Sequence, residues 1–272
     1  MRRRRSALFL PASNPRALAK ARELPCDALI LDLEDSVAPE AKEAAREAAL
    51  LAAASGAYAP RELAIRCNAL GTPWHERDVE LIAESPADAL VVPKVDSAAE
   101  LADLPGDLPI WAMLETPAAI LAAREIAESP RVAVLLLGTN DLARELYAQL
   151  VPGRAPLLPH LAQALLAARA AAKPILDGVF NDIRDLEGFA VEAEQGFQMG
   201  FDGKALIHPR QIEPCNAAWT PSSEQLDAAQ SLIDTWQAAQ ALGKGVAVHD
   251  GRMIEELHVA MAKRSLALGG RE

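Results

Sequence analysis

The chain has 272 residues, 51% of them hydrophobic and 4% aromatic, with a formal net charge of −11. That charge argues against a nucleic acid or an anionic membrane as partner over most of the surface, and the length suits one large domain with a modest extension. The three cysteines, Cys26, Cys67 and Cys215, are scattered with no CxxC spacing, so reduced thiols in a cytoplasmic protein are expected, not a disulfide framework.

At the start, the basic run Arg2–Arg5 reads as a solvated, frayed terminus. The apolar stretch behind it is too short for a signal sequence, and no later segment reaches the ~20 apolar residues of a membrane span. Strands are expected near 6–10, 28–34, 62–67, 88–93, 109–114, 132–138, 174–180 and 203–207, with helical stretches between them. Asn14-Pro15 pairs an N-cap residue with proline at the first helical position, Ser97-Ala-Ala-Glu100 spells a capping box, and Thr116-Pro117 opens a helix running to about Glu128. Pro152, Pro156 and Pro159 predict a loop ahead of a helix over 160–172. Strict strand–helix alternation favours a closed (β/α)8 barrel, a TIM barrel, over an open doubly wound sheet, although periodicity alone leaves both open. After Pro221 the alternation stops. A helix near 222–242, the glycine-flanked GKGVAVHDG and a last helix from about 252 to 267 make up an extension. The expected organisation is an α/β barrel domain over 1–220 and a C-terminal helical extension over 221–272.

Several apolar runs end on a charged or polar residue where a strand should finish: Glu34 and Asp35, Arg66, Lys94, Glu115, Asp141 and His208. In a barrel enzyme, reactive groups gather at the C-terminal ends of the strands. Glu115 and Asp141 end neighbouring strands, and two carboxylates without a nearby His or Cys suit a hard cation such as Mg²⁺; the alternative is that each merely favours a helix N-terminus. Arg66 either holds a carboxylate or enolate oxygen or makes a structural salt bridge to Glu34 or Asp35. His208 is expected to be structural. Lys94 ends a strand as a Schiff-base lysine would, yet nothing in the sequence near it would depress its pKa. The GxSxG, GxGxxG and GxxxxGK[ST] patterns are absent, which removes the main support for a serine hydrolase, a dinucleotide oxidoreductase or a P-loop enzyme.

The stretches LFLPASNPRALAKA, LILDLEDSVAPEAKEAAR, IRCNALGTPW, VVPKV, LETP, LGTNDLAREL, DGVFNDIRDLEGFAVEAEQGFQMGFDGKALIHPRQIEPCNAAW and DGRMIEELH, in this order, resemble the citrate lyase β-subunit-like branch of the HpcH/HpaI aldolase superfamily, which includes malyl-CoA and citramalyl-CoA lyases. The resemblance spans nearly the whole chain. It implies a Mg²⁺-dependent carbon–carbon lyase that cleaves or forms a 3-hydroxyacyl thioester, yielding an acyl-CoA and a 2-oxo acid. By motif position it implies Glu115 and Asp141 as metal ligands and Arg66 as the group stabilising the thioester or enolate. Glu34 and Asp35 correspond to the acidic pair near the metal waters, and Arg16 and Lys20 to weaker contacts with coenzyme A phosphates. Asp250 corresponds to a general acid/base supplied by a neighbouring subunit, which makes the expected assembly a homo-oligomer, a trimer or dimer of trimers, with the extension packing on or swapping to its neighbour. Two departures from the family pattern are Ala12 in FLPAS, where glycine is usual, and EELH, where a proline normally precedes the histidine. Alternatives within the same frame are a thioesterase using the same site, an aldolase acting on free acids, whose catalytic histidine has no counterpart here, and a non-catalytic subunit that binds a small acid.

Overall fold

The computed structural model describes residues 2–271. The chain divides into two compact units, Met1–Asn216 and Ala217–Glu272.

In the first unit, eight short apolar segments become strands: β1 (Ser6–Pro11), β2 (Ala28–Asp32), β3 (Glu62–Arg66), β4 (Ala89–Val92), β5 (Ile110–Leu114), β6 (Val132–Leu137), β7 (Ile175–Asp177) and β8 (Gly203–Leu206). Each pairs in parallel with the next, and β8 returns to β1, closing the barrel. Near-continuous apolar runs are what a parallel sheet buried on both faces requires. Residues two apart point the same way along a strand. Ala28 and Ile30 of β2, Ala64 of β3, Trp111 and Met113 of β5, and Val134 and Leu136 of β6 therefore share one buried cluster. Carried one step further, this alternation brings Asp32, Arg66 and Glu115 to the C-terminal mouth.

The opposite end corrects the expectation of a frayed basic terminus. Arg4 makes a bidentate pair with Glu62 (2.6 and 2.8 Å) and lies 5.4 Å from the centre of the Trp111 ring. Arg5 grips Asp27 in the same way, at 2.8 and 2.7 Å. The arginines are ordered because their partners stand at the N-terminal entrances of β2 and β3.

The helix starts follow local chemistry, with two corrections. Asn14 caps the helix Pro15–Ala21 by accepting from the Ala17 amide, and Thr116 accepts from the Ala119 amide as expected. The helix opened by Thr116 is broken at Ala122 into Pro117–Leu121 and Ala123–Glu128. Ser97 does not cap its helix, which covers Ala99–Ala102; Glu100 instead accepts from the Asp96 amide at 3.0 Å, while Asp96 accepts from the Thr116 hydroxyl. The helix expected over 160–172 covers Leu158–Ala170.

The second unit holds the helix Ser223–Ala241, a hairpin of β9 (Ala247–His249) and β10 (Arg252–Ile254), and the helix Glu256–Leu268. Ser222 and Gln225 form a capping box at the first helix. Leu226, Ile233, Trp236, Ile254, Val259 and Leu266 form the unit's own apolar core. The hairpin replaces the expected start of the last helix at 252. Asp250 and Gly251 both take positive φ, 46° and 74°, the pattern of a two-residue type I′ turn, so Arg252 pairs back onto His249. Among the described residues, no helix is long and apolar enough to cross a membrane.

Candidate active site

The mouth of the barrel encloses a cavity of about 300 Å³ lined by Phe9, Asp32, Asp35, Arg66, Met113, Glu115, Asn140 and Asp141, among others. Arg66, at the end of β3, is the best-anchored group in it. Its Nε and Nη2 donate to the two oxygens of Asp32 at 2.6 and 2.7 Å, and its Nη1 lies 2.7 Å from Glu34 Oε2 and 3.8 Å from Asp35. The guanidinium also lies 4.9 Å from the centre of the Phe9 ring. Burial alone would lower the Arg66 pKa, but Asp32, Glu34 and Glu115 outweigh it and hold the group charged. Burial likewise works to raise the Asp32 pKa, and the Arg66 charge and hydrogen bonds keep it below the ordinary carboxylate value.

Glu34 is held between two cations. Its Oε1 accepts from Lys94 Nζ at 2.5 Å. Its Oε2, although close to Arg66, lies off the N–H direction and is a buried oxygen with no hydrogen-bond partner. Burial is the chief cause that pushes the Glu34 pKa up. Lys42 steadies the same turn from behind, donating to the Leu33 and Glu34 carbonyls at 2.8 Å each while lying 5.2 Å from the centre of the Trp74 ring.

Glu115 follows β5 and is only 1% exposed. Its Oε1 accepts from the backbone N–H of Lys94 at 2.7 Å, and Lys94 itself takes a left-handed conformation (φ 51°). The Glu115 pKa is pushed up to about 7, chiefly by burial, with Glu34 and Asp141 adding to the rise against Lys94 and Arg66. Thr116, not Glu115, caps the helix that follows. Asp141 stands in the first turn of the helix Thr139–Glu145 and pairs with Arg144 at 2.7 Å. Gly138, three residues before Asp141, packs against Glu115: a Cβ there would overlap the Glu115 carboxylate and its Cβ, so only glycine leaves room for the acid.

The structure thus brings Arg66, Glu115, Asp141 and Asp35 to one cavity, with Glu34 just behind Arg66. It does not bring Arg16 or Lys20 into that lining; both are exposed on the helix Pro15–Ala21. Asp250 stands at the hairpin tip of the second unit, its side chain 89% exposed and 3.5 Å from His249. His208 is structural, capping the turn Pro209–Gln211 through Nδ1. Lys94 is paired with Glu34 and its pKa is raised, the opposite of what an imine-forming lysine requires; burial, the largest single influence, is outweighed by Glu34, Glu115 and Asp35. All three cysteines are free and buried, and burial leads the rise of the Cys26 pKa to about 11. Sequence reasoning missed Asp32, Lys42 and the two contacts of Lys94. It also missed a buried ionic cluster on the outer side of β7 and β8, where Asp177 binds Arg154 at 2.7 Å and Lys204 at 2.9 Å.

The donor set fits a small hard cation. Among the described residues no three His, Cys, Asp or Glu side chains converge as a ready-made metal cage. Two oxygen ligands with room beside them are instead what Mg²⁺ uses when water or substrate completes its shell. Glu115, whose pKa is pushed up to about 7 chiefly by burial, with Glu34 and Asp141 adding to the rise, is a carboxyl whose charged form a bound cation would stabilise.

Residues 5–209 match the HpcH/HpaI aldolase/citrate lyase family, and the chain belongs to that family. It is 46% identical over 266 residues to a (3S)-malyl-CoA thioesterase of Cereibacter sphaeroides (strain KD131), covering 97% of this chain and 93% of the relative. It is 35% identical over 269 residues to the citrate lyase subunit beta of Escherichia coli (strain K12), covering 93% and 89%. Among solved structures, the protein CitE of Mycobacterium tuberculosis in complex with magnesium, acetoacetate and coenzyme A superposes with a TM-score of 0.80 at 32% identity, over 98% of both chains.

Proposed function

We propose that this protein is a Mg²⁺-dependent lyase that cleaves or forms a 3-hydroxyacyl thioester of the malyl, citramalyl or citryl type, giving an acyl-CoA and a 2-oxo acid. The observation that carries the reading is the juxtaposition, around one small cavity, of a doubly anchored Arg66 with the buried Glu115 and the half-buried Asp141. Glu115 and Asp141 would hold the ion, which when bound supplies Lewis-acid polarisation of the oxo acid's carbonyl. The chain's own residues do the rest. Arg66, fixed by Asp32, offers a preorganised positive charge where the thioester oxygen gains charge as the carbon–carbon bond breaks. Glu34, held by Lys94, orients groups on the far side of Arg66. Arg16 and Lys20, exposed on the first helix, suit the phosphates of coenzyme A. Asp250, on an exposed two-residue turn, is suited to move the proton of the substrate hydroxyl in a neighbouring subunit's site, which makes the enzyme an obligate homo-oligomer built on trimers. The free, buried thiols agree with a cytoplasmic location.

A second reading, hydrolysis of the thioester on the same site, is favoured by the higher identity to malyl-CoA thioesterases, 46% against 35% for the citrate lyase subunit. Incubating the purified protein and Mg²⁺ with a panel of 3-hydroxyacyl-CoA thioesters, while measuring 2-oxo acid and free thiol, separates the two. Oxo acid release identifies the lyase. Free thiol with intact malate or citramalate identifies the thioesterase, and neither product rejects both.

A further inference from the structure

A second cavity, of about 370 Å³, lies beside the first, and Thr139, Asn140 and Val179 line both. The wall between them is built where the turn after β6 meets the turn after β7. Its buried tier is rigid: Gly178 packs so closely on Thr139 that a Cβ there would lie 2.5 Å from Thr139 Cγ2 and Oγ1. Its outer tier is a reciprocal amide pair, Asn140 Nδ2 donating to Asn181 Oδ1 at 3.0 Å and Asn181 Nδ2 to Asn140 Oδ1 at 2.7 Å. Both amides are exposed, so water can replace the two bonds when this tier parts, at the net cost of losing both.

The second cavity has the chemistry of a hydrocarbon site. Leu150, Val151, Phe180 and Val191 supply apolar wall, and Val191 is 71% exposed, with surface still to bury. Arg154 is the only basic lining residue among those described, and its guanidinium is committed to Asp177 at 2.7 Å and to Gln195 at 2.9 Å. Glu192 is paired with Lys204 at 2.8 Å, and Asp182 and Asp185 add two further acids to the lining. A phosphate or a second carboxylate would therefore meet two acids and no uncommitted cation, whereas an alkyl chain would meet apolar surface.

We infer that the second cavity is an annex of the first that takes an unbranched aliphatic chain carried on the 2-oxo acid, and that the Asn140–Asn181 pair is the partition that sets how long a chain the enzyme accepts. This rests on reading the first cavity as the oxo-acid site. The polar head stays with Arg66 and the carboxylates, and the chain crosses only where the amides part.

The test is calorimetric titration of pyruvate and of 2-oxooctanoate, with MgCl₂ present, into wild type, Asn181→Ala and Asn181→Ala/Val191→Trp. Each methylene moved from water to apolar wall strengthens binding by roughly fourfold. Asn181→Ala is expected to raise the affinity of 2-oxooctanoate relative to pyruvate by about tenfold or more, and Val191→Trp, which fills the annex, to return the ratio to that of wild type. Should the Trp variant fail to fold by circular dichroism, Val191→Phe takes its place. A ratio unchanged by Asn181→Ala, or a gain that survives filling of the annex, overturns the inference while leaving the oxo-acid reading intact. Failure of wild type to bind pyruvate rejects the oxo-acid reading, and the annex with it.

Discussion

Arg66 is worth more to the site as a planar fork than as a charge. Two of its nitrogens are spent on Asp32, which aims the guanidinium instead of letting it swing, and a lysine has no geometry to reproduce this. Arg66→Lys is therefore expected to lower kcat by about 10²–10³, the usual cost of losing one preorganised donor to a developing oxyanion. A lysine variant within a few-fold of wild type would reduce Arg66 to a structural salt bridge. Glu115 leads to a prediction in pH. Its pKa in the folded, metal-free protein is about 7 against an ordinary 4.5, so the folded state prefers the protonated acid. The stability this preference provides is present below about pH 4.5 and is lost as pH rises towards 7, at a cost of at most about 3 kcal/mol. In chelator, Glu115→Gln should melt close to wild type at pH 5 and clearly above it at pH 8. Mg²⁺ binding should release a proton, its affinity falling about tenfold per unit below pH 7. Equal melting temperatures at pH 8, or Mg²⁺ affinity flat between pH 6 and 8, would contradict the buried-carboxylate account.

At the scale of the elements, the site depends on how closely the end of β6 approaches the end of β5. Gly138 has an ordinary negative φ (−99°), so its lack of a side chain serves space, not backbone freedom. Gly138→Ala should displace the Glu115 carboxylate, weaken Mg²⁺ binding and lower kcat by roughly 10²-fold, the scale expected when a reacting group shifts by about 1 Å. An alanine variant with wild-type Mg²⁺ affinity would mean that Glu115 is free to move aside. The strands themselves were legible because each is a short apolar run, and several stop at a charged or polar residue. Asp32 was not, because LILDLEDS carries three acids and a strand read through to residue 34 makes the first of them look interior. Strict alternation from Ala28 and Ile30 would have found it, and register then sets it opposite Arg66. The misplaced capping box has a local cause of the same kind: Glu100 binds the Asp96 amide, one residue before the expected position, because Asp96 is turned towards Thr116. The partners of Arg4 and Arg5 and the cluster Arg154–Asp177–Lys204 were beyond sequence reasoning, since strand register and packing, not local sequence, bring residues so far apart in the chain into contact.

At the scale of the whole molecule, the open question is where Asp250 acts. An exposed carboxylate at the tip of a two-residue turn is either an ordinary turn residue, tolerated at positive φ because aspartate accepts it, or a group presented to something outside its own unit. Among the described residues its one ion-pair contact is with His249 at 3.5 Å, so it is not engaged in holding the second unit together; the core there is carried by Leu226, Ile233, Trp236 and their neighbours. Asp250→Ala should accordingly cost no more than the strain of alanine at positive φ, about 1 kcal/mol, and leave the core of the unit intact. On the proposed function it should nonetheless abolish turnover, as Glu115→Ala should. Those two losses come from different units of the chain, and this makes complementation decisive. When inactive Asp250→Ala protomers are mixed with inactive Glu115→Ala protomers under conditions that permit exchange, some sites combine an intact Glu115 from one copy with an intact Asp250 from another, and part of the activity should return. Recovery should rise with the extent of exchange, measured independently with differently labelled protomers. Demonstrated exchange without recovery, or a monomer with full activity, would remove Asp250 from the neighbouring site and with it the reason for the enzyme to be an obligate oligomer.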